Sequence, residues 1–276
     1  MTYNIDKLRN AYTNMTENKT KKKYTPPFAS WKPVLGDDGK SKTYNIRILP
    51  YQDQTGQPFQ EVMFYDNKNL TPYRLVAPNQ FGLPDPIASL FKQLKEDKKK
   101  KTPWPVLKGL SPSARYFIPV VVREEMSKGV QIWEISPTLC KEFYRQLVSE
   151  DFANEDVTSP DTGYDFTVTV SPSGKMFKAP NGKEFPVNDV SVTARKKSTK
   201  LSSSKEESEK IIASIPDLKK IFTSQVKSEE HLNDCIESYL QADMGSSDTP
   251  SKSALTSLDE DSAKKDIEDV FSDIDI

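Results

Sequence analysis

Residues 43–49, T-Y-N-I-R-I-L, constrain this chain more than any other stretch. Tyr44, Ile46 and Ile48 alternate with Asn45 and Arg47, and Gly36-Asp37-Asp38-Gly39 supplies a turn just before them. A period of two means a strand with one face in a core and the other outside, here with Arg47 as a cation on the polar face. Similar runs recur: residues 59–65, 73–77, 115–123, 130–135, 166–170 and 187–194 read as further strands, divided by Gly, Pro and Asn turn signals. Ser173-Gly174 and Asn181-Gly182 read as hairpin turns. Helices are interspersed. Pro86 opens one with Ile87, Leu90, Phe91 and Leu94 on a face; Ser136-Pro137 opens another with Leu139, Phe143 and Leu147 inward. Two more fill residues 206–224, interrupted at Pro216, and 229–241. The expected fold is mainly β with inserted helices, an α+β chain around an OB-type, partly open Greek-key barrel. An irregular α+β sheet is the other arrangement the pattern permits.

Charge divides the chain more sharply than its net value of −1 suggests. Residues 256–276 hold eight acids against Lys264 and Lys265, a net of −6, which leaves +5 on residues 1–255. Such asymmetry points to a body that meets nucleic acid and a tail that serves as an interaction element. The expected organisation is a basic arm over 1–25, an OB-type core over 26–200, a helical segment packed on it over 201–243, and a flexible linker with a disordered acidic tail over 244–276. The arm nets +4 and carries a weak amphipathic helix at residues 4–16. In the tail, acids alternate with Ile267, Val270, Phe271, Ile274 and Ile276, a pattern suited to a partner-binding peptide, with Asp269, Phe271, Asp273 and Asp275 as its contacts. The two cysteines, Cys140 and Cys235, show no spacing for a disulfide framework or a metal clamp, so a reduced intracellular protein is expected. No apolar run is long enough to span a bilayer or to act as a signal peptide, and no membrane partner is expected.

Flat rings and cations recur together. Arg115 precedes Tyr116-Phe117, Trp133 reads as lying on the exposed face of its strand, and Arg195, Lys196 and Lys197 end the last strand. Lys98, Lys99, Lys100 and Lys101 run toward Trp104, within a stretch, 91–108, of net +5. Bases stack on rings while phosphates meet cations, so this combination suits single-stranded nucleic acid. The competing readings are that the rings fill a core and that the lysines answer a helix dipole. Catalysis lacks a site: His231 stands alone, there is no phosphate loop or nucleophile elbow, and the long acid-rich run sits in the tail, where no scaffold would hold two metals. A non-enzyme without cofactor is expected.

The chain resembles the T-even-type phage single-stranded DNA-binding proteins, the helix-destabilising proteins of replication. The matching features are the short basic N-terminal segment, Trp31-Lys32 with Leu35 followed by I-R-I-L-P at 46–50, Tyr116-Phe117 before Val120-Val121-Val122, the Trp133 strand before a helix, and the acidic-apolar C-terminus. The resemblance implies an OB-type core and cooperative, sequence-independent binding of single-stranded DNA in replication, recombination and repair, in the cytoplasm of an infected bacterial host. It also implies self-association through the N-terminal segment, here Lys21, Lys22 and Lys23, and recruitment of phage replication proteins by the tail. Arg47, Tyr116, Phe117 and Trp133 match cleft positions of that family, and Tyr73 and Phe81 extend the set. Two departures stand out. Where the family carries a His and three Cys around a zinc, this chain has Ala77-Pro78-Asn79-Gln80 and Asp85-Pro86-Ile87-Ala88, which cannot build that site. The family's basic Ser/Thr motif is missing from the extreme N-terminus, though residues 21–25 and 195–199 look similar. An RNA-binding regulator on the same barrel and a metal-dependent nuclease are the alternative functions.

Overall fold

A computed structural model describes residues 26–51, 57–67, 70–71, 74–97, 102–152, 155–178 and 182–243. The described residues form eight strands: β1 (Ser30–Trp31), β2 (Lys42–Ile48), β3 (Gln60–Tyr65), β4 (Leu75–Val76), β5 (Ser113–Val122), β6 (Gln131–Ile135), β7 (Tyr164–Lys178) and β8 (Glu184–Ser198). Six α-helices join them: α1 (Pro86–Glu96), α2 (Trp104–Leu110), α3 (Pro137–Leu147), α4 (Lys205–Ala213), α5 (Leu218–Thr223) and α6 (Glu229–Asp243). The class is α+β, and the described residues divide into two compact units: one takes residues 26–62 and Ala114–Ser224, and the other Met63–Ser113 and residues 225–243. The span 26–200, expected as one core, thus contributes to both units.

The first unit is built on the strand path β1-β6-β5-β2-β7-β8, antiparallel throughout except for the parallel β1–β6 pair. Its alternation is the one legible in residues 43–49: Tyr44, Ile46 and Ile48 turn inward with Phe166, Val168 and Val170, and α3 adds Cys140 and Phe143. Val120, Val121 and Val122 are all fully buried, as expected of a continuous β-branched run with a core on each side. Val120 and Val122 join the main cluster, whereas Val121 joins Leu49, Leu201 and Ile215. Ser136 caps α3 by accepting from Leu139 N, and Pro137 occupies its first turn.

The hairpin β7–β8 departs from the expected turns. Gly174 does not reverse the chain; it lies within β7 at φ +72°, where Ser173, Gly174 and Lys175 face Val187 alone, between the pairs Pro172–Asn188 and Met176–Pro186. Glycine takes this left-handed conformation without a Cβ penalty, so the dipeptide that signals a turn here makes a bulge instead. Ser173 Oγ fixes it by accepting from Lys175 N and donating to Val187 O. The hairpin therefore runs on to the pair Lys178–Glu184.

In the second unit, α1, α2 and α6 bring Ile87, Leu90, Leu110, Leu232, Ile236 and Tyr239 together with Tyr65, Leu70 and Leu75. Helix α2 starts at Trp104 between two prolines; the first helical turn tolerates proline because its N–H groups have no intrahelical partner. Tyr239 donates to Val106 O at 2.9 Å, tying α6 to α2.

Candidate nucleic-acid interface

Three of the residues expected at the surface are interior. Trp133 is 3% exposed because Trp31 stands against one side of it at 5.0 Å between centroids and Phe143 against another at 5.8 Å. Trp133 stands opposite Ile118 and shares the core-facing side of β6 with Ile135, while Glu134 on the other side is the exposed one, so the alternation places Trp133 inside. Phe117, also 3% exposed, packs between Phe28 and Phe222. Neither ring offers a face to a base in this fold.

Arg47 is fully buried. Its Nε donates to Asp165 Oδ1 at 2.9 Å, Nη1 to Ser159 O, and Nη2 to both oxygens of Thr199. Arg123 reaches the same carboxylate from the other side through Nε and Nη2, and its outer N–H groups donate to Lys200 O and Leu201 O. Burial lowers the Arg47 guanidinium from its ordinary value while Asp165 opposes that shift. Burial alone would raise the Asp165 carboxyl, but hydrogen bonds from Arg123 and the charges of both arginines outweigh it and hold the group below the usual carboxylate range. The cation expected on a polar strand face is thus committed to the protein.

The remaining expected residues lie nearer the surface. Tyr116 is half-buried on the core, with its hydroxyl pushed up to about 12 by burial and by Glu61. Arg115 is ion-paired with Glu134 at 3.5 Å. Arg195, Lys196 and Lys197 are exposed, and Arg195 Nη1 lies 3.5 Å from Asn45 Oδ1. In the second unit Phe81 is half-buried and Trp104 is 67% exposed, with Lys108 one turn along α2. Tyr73, Lys98, Lys99, Lys100, Lys101, the arm with Lys21, Lys22 and Lys23, and the tail with Asp269, Phe271, Asp273 and Asp275 lie outside the described residues.

The outer face of β2, β7 and β8 is a continuous lane. Directly opposed residues of antiparallel strands share a face. Thr43 pairs with Thr169 and Asn45 with Thr167, and Thr167 and Thr169 pair with Thr193 and Ser191. Side-chain bonds confirm the common face: Thr43 Oγ1 lies 3.2 Å from Thr169 Oγ1, and Thr167 Oγ1 donates to Asn45 Oδ1. Glu124 accepts from Asn45, and Asp189 stands among the hydroxyls, so the lane carries acids as well. At the far end of the hairpin, the paired rings Phe177 and Phe185 are 57% and 49% exposed, with Met176 at 56% on the opposite face. Exposed Lys175, Lys178 and Lys183 each lie within two chain positions of one of these rings. Ten residues separate Phe185 from Arg195, roughly 33 Å of strand. The lane therefore has rings and cations at one end, hydroxyls in the middle and Arg195 at the other. The sequence signal for this tip was there, a ring on each side of Asn181-Gly182, but it is hidden once Gly174 is read as the end of a strand.

A family model described as gp32 DNA binding protein like matches residues 39–239, most of the chain and nearly all of its two folded units. The chain belongs to the gp32 DNA-binding protein-like family. No curated protein sequence matches it significantly.

The zinc implied by resemblance to the gp32-like proteins does not fit this chain. At the corresponding positions the candidate donors are engaged otherwise: Gln80 Oε1 accepts from Met63 N while its Nε2 donates to Met63 O and Ala77 O. Asp85 caps α1 by accepting from Ile87 N and Ala88 N, and takes a further bond from Tyr65 Oη at 2.9 Å. Among the described residues no three His, Cys, Asp or Glu side chains come together to hold a metal ion.

Proposed function

We propose that this gp32-like chain is a non-catalytic single-stranded DNA-binding protein, sequence-independent and cooperative, serving phage replication, recombination and repair. The observation that carries the reading is the ring pair Phe177–Phe185, half exposed among Lys175, Lys178 and Lys183 at the end of a hairpin whose base carries Arg195, Lys196 and Lys197. Stacking is indifferent to base identity because every base has a π-face, and cations and hydroxyls along a strand take phosphate and sugar contacts without reading sequence. Trp104 with Lys108 provides a second such pairing in the other unit. Support for an OB-type barrel comes from the antiparallel path β6-β5-β2-β7-β8 with α3 inserted between β6 and β7.

The basic segment over 1–25, with Lys21, Lys22 and Lys23, is the self-association element in this reading, and the acidic tail recruits replication proteins through Asp269, Phe271, Asp273 and Asp275. The deciding experiment is competition for a fluorescent oligonucleotide by single-stranded DNA, RNA and duplex, with and without Mg²⁺. Single-stranded DNA should compete best and stay intact. Equal competition by duplex, preference for RNA, or Mg²⁺-dependent cutting would each overturn the reading.

A further inference from the structure

The run Arg195, Lys196 and Lys197 is more than a strand end. Phe166 pairs with Ala194 and Tyr164 with Ser198, so these three residues stand opposite Asp165 alone. An irregularity of this kind bends a strand and turns its side chains to new directions. It is tied on both sides. On one side Gln146 Nε2 donates to Val192 O, and its Oε1 accepts from Ala194 N at 2.6 Å. On the other, the two guanidinium groups that grip Asp165 donate to three successive carbonyls, those of Thr199, Lys200 and Leu201. Thr199 N and Leu201 N are held as well, by Gly163 O and Pro160 O. The loop that supplies those acceptors closes around Arg47 so tightly that a Cβ on Gly163 would press on Ser159 O and stand 2.6 Å from Arg47 Nη1.

Burying one guanidinium and half-burying a second around one carboxylate is a poor way to gain stability, since well-packed apolar residues of similar volume commonly do as well or better. What the ion cluster supplies, and an apolar core cannot, is a set of directed donors for carbonyls where a strand ends. The segment fixed in this way begins two positions after Lys197, with Ser198 between them.

We propose that Arg47, Asp165 and Arg123 form a positioning device that holds residues 195–197 as a preformed basic knuckle against the phosphates. Arg47 then acts on nucleic acid through the chain it grips, with no contact of its own. The inference rests on the DNA-binding reading above, and its benefit is preorganisation: the cations are set before binding and need not be ordered by it.

The test is a cycle between Arg123→Lys, which keeps the charge but loses the fork, and the pair Lys196→Ala with Lys197→Ala. In the parent chain, removing both lysines should lower the slope of log affinity against log salt by about 1.4, at about 0.7 per phosphate contact on a single strand. In the Arg123→Lys chain the slope should already be reduced, and removing the lysines should change it by less than half that amount. Strictly additive slopes would overturn the positioning role, whereas no slope change in the parent would instead remove the lysines from the interface. A measurement on the unaltered protein stands even if Arg123→Lys does not fold: amide exchange without DNA should show Thr199 and Leu201 as protected as β7. Loop-like exchange at both amides would overturn the device regardless of how DNA binds.

Discussion

A ring at 3% exposure and a ring at 57% answer the same mutation differently. Trp133→Ala removes a side chain held by Trp31 and Phe143, so it should cost about 3–5 kcal/mol of stability, read in chemical denaturation. Oligonucleotide affinity measured well below the melting point should be nearly unchanged. Phe177→Ala should do the reverse, with affinity weaker by about 1–3 kcal/mol and little change in melting. A large affinity loss in Trp133→Ala, with melting intact, would return that ring to the interface. Trp133 occupies the core side of its strand with Ile135, whereas Arg47 and Phe117 are buried for another reason: alternation tells which side of a strand a residue occupies, not whether that side is covered by something distant in the chain. Arg47 does lie on the face opposite Ile46 and Ile48, yet Asp165 and the carbonyls that enclose it come from more than a hundred positions away. Its partner sets a pH dependence. The Asp165 carboxyl is held below its ordinary value in the folded chain, so the stability it contributes is present above the unfolded value, near pH 4, and is lost as pH falls through the lower folded one. Asp85, raised by burial, has the opposite sign and favours its fold at lower pH. Hydrogen exchange between pH 6 and about pH 3 should therefore loosen residues 199–201 before α1; the reverse order would contradict both assignments.

At the scale of elements, the strands and helices were largely legible, because the residues that form them obey local rules: alternation in β2, a Ser-Pro start for α3, an Asp-Pro start for α1. Less legible were the places where a local signal has two outcomes. Gly174 could turn a strand or bulge it, and only Ser173 bonding across to Val187 decides for the bulge. Segment 225–243 could pack on either neighbour, and Leu232, Ile236 and Tyr239 commit it to α1 and α2. Two outcomes follow for the second unit. Its loop between β4 and α1 is tied by the Gln80 and Asp85 side chains, so exhaustive chelation should leave its exchange protection unchanged, and purified protein should carry no stoichiometric zinc. Loss of protection over residues 75–96 on chelation would show that a metal holds it. Removing α6, by contrast, should unfold this unit while leaving β7 protected, since Tyr239 is fully buried and its hydroxyl fastens Val106.

On the scale of the whole molecule, the separation of charge is the one property that belongs to no single element. The segment 256–276 carries −6 and the rest of the chain +5, and both are joined in one polypeptide, so the acidic end has a high effective concentration near the basic residues of the body. Arg195, Lys196 and Lys197 are exposed and offer it a target of the same kind as a phosphate backbone. Competition between the two polyanions would make DNA binding weaker than the body alone allows, and occupancy by DNA would free Phe271 and its neighbouring acids for a partner. Screening decides how large the effect is: the Debye length falls from about 30 Å at 0.01 M salt to about 8 Å at physiological strength, so the competition should be strongest in dilute salt. Truncation after Thr256 should accordingly tighten binding to single strands at low salt, with the gain shrinking as salt is raised, and should abolish retention of replication proteins on a column of the full chain. Affinities that stay equal across the salt series, with retention lost, would leave the tail as a recruitment peptide that never touches the body.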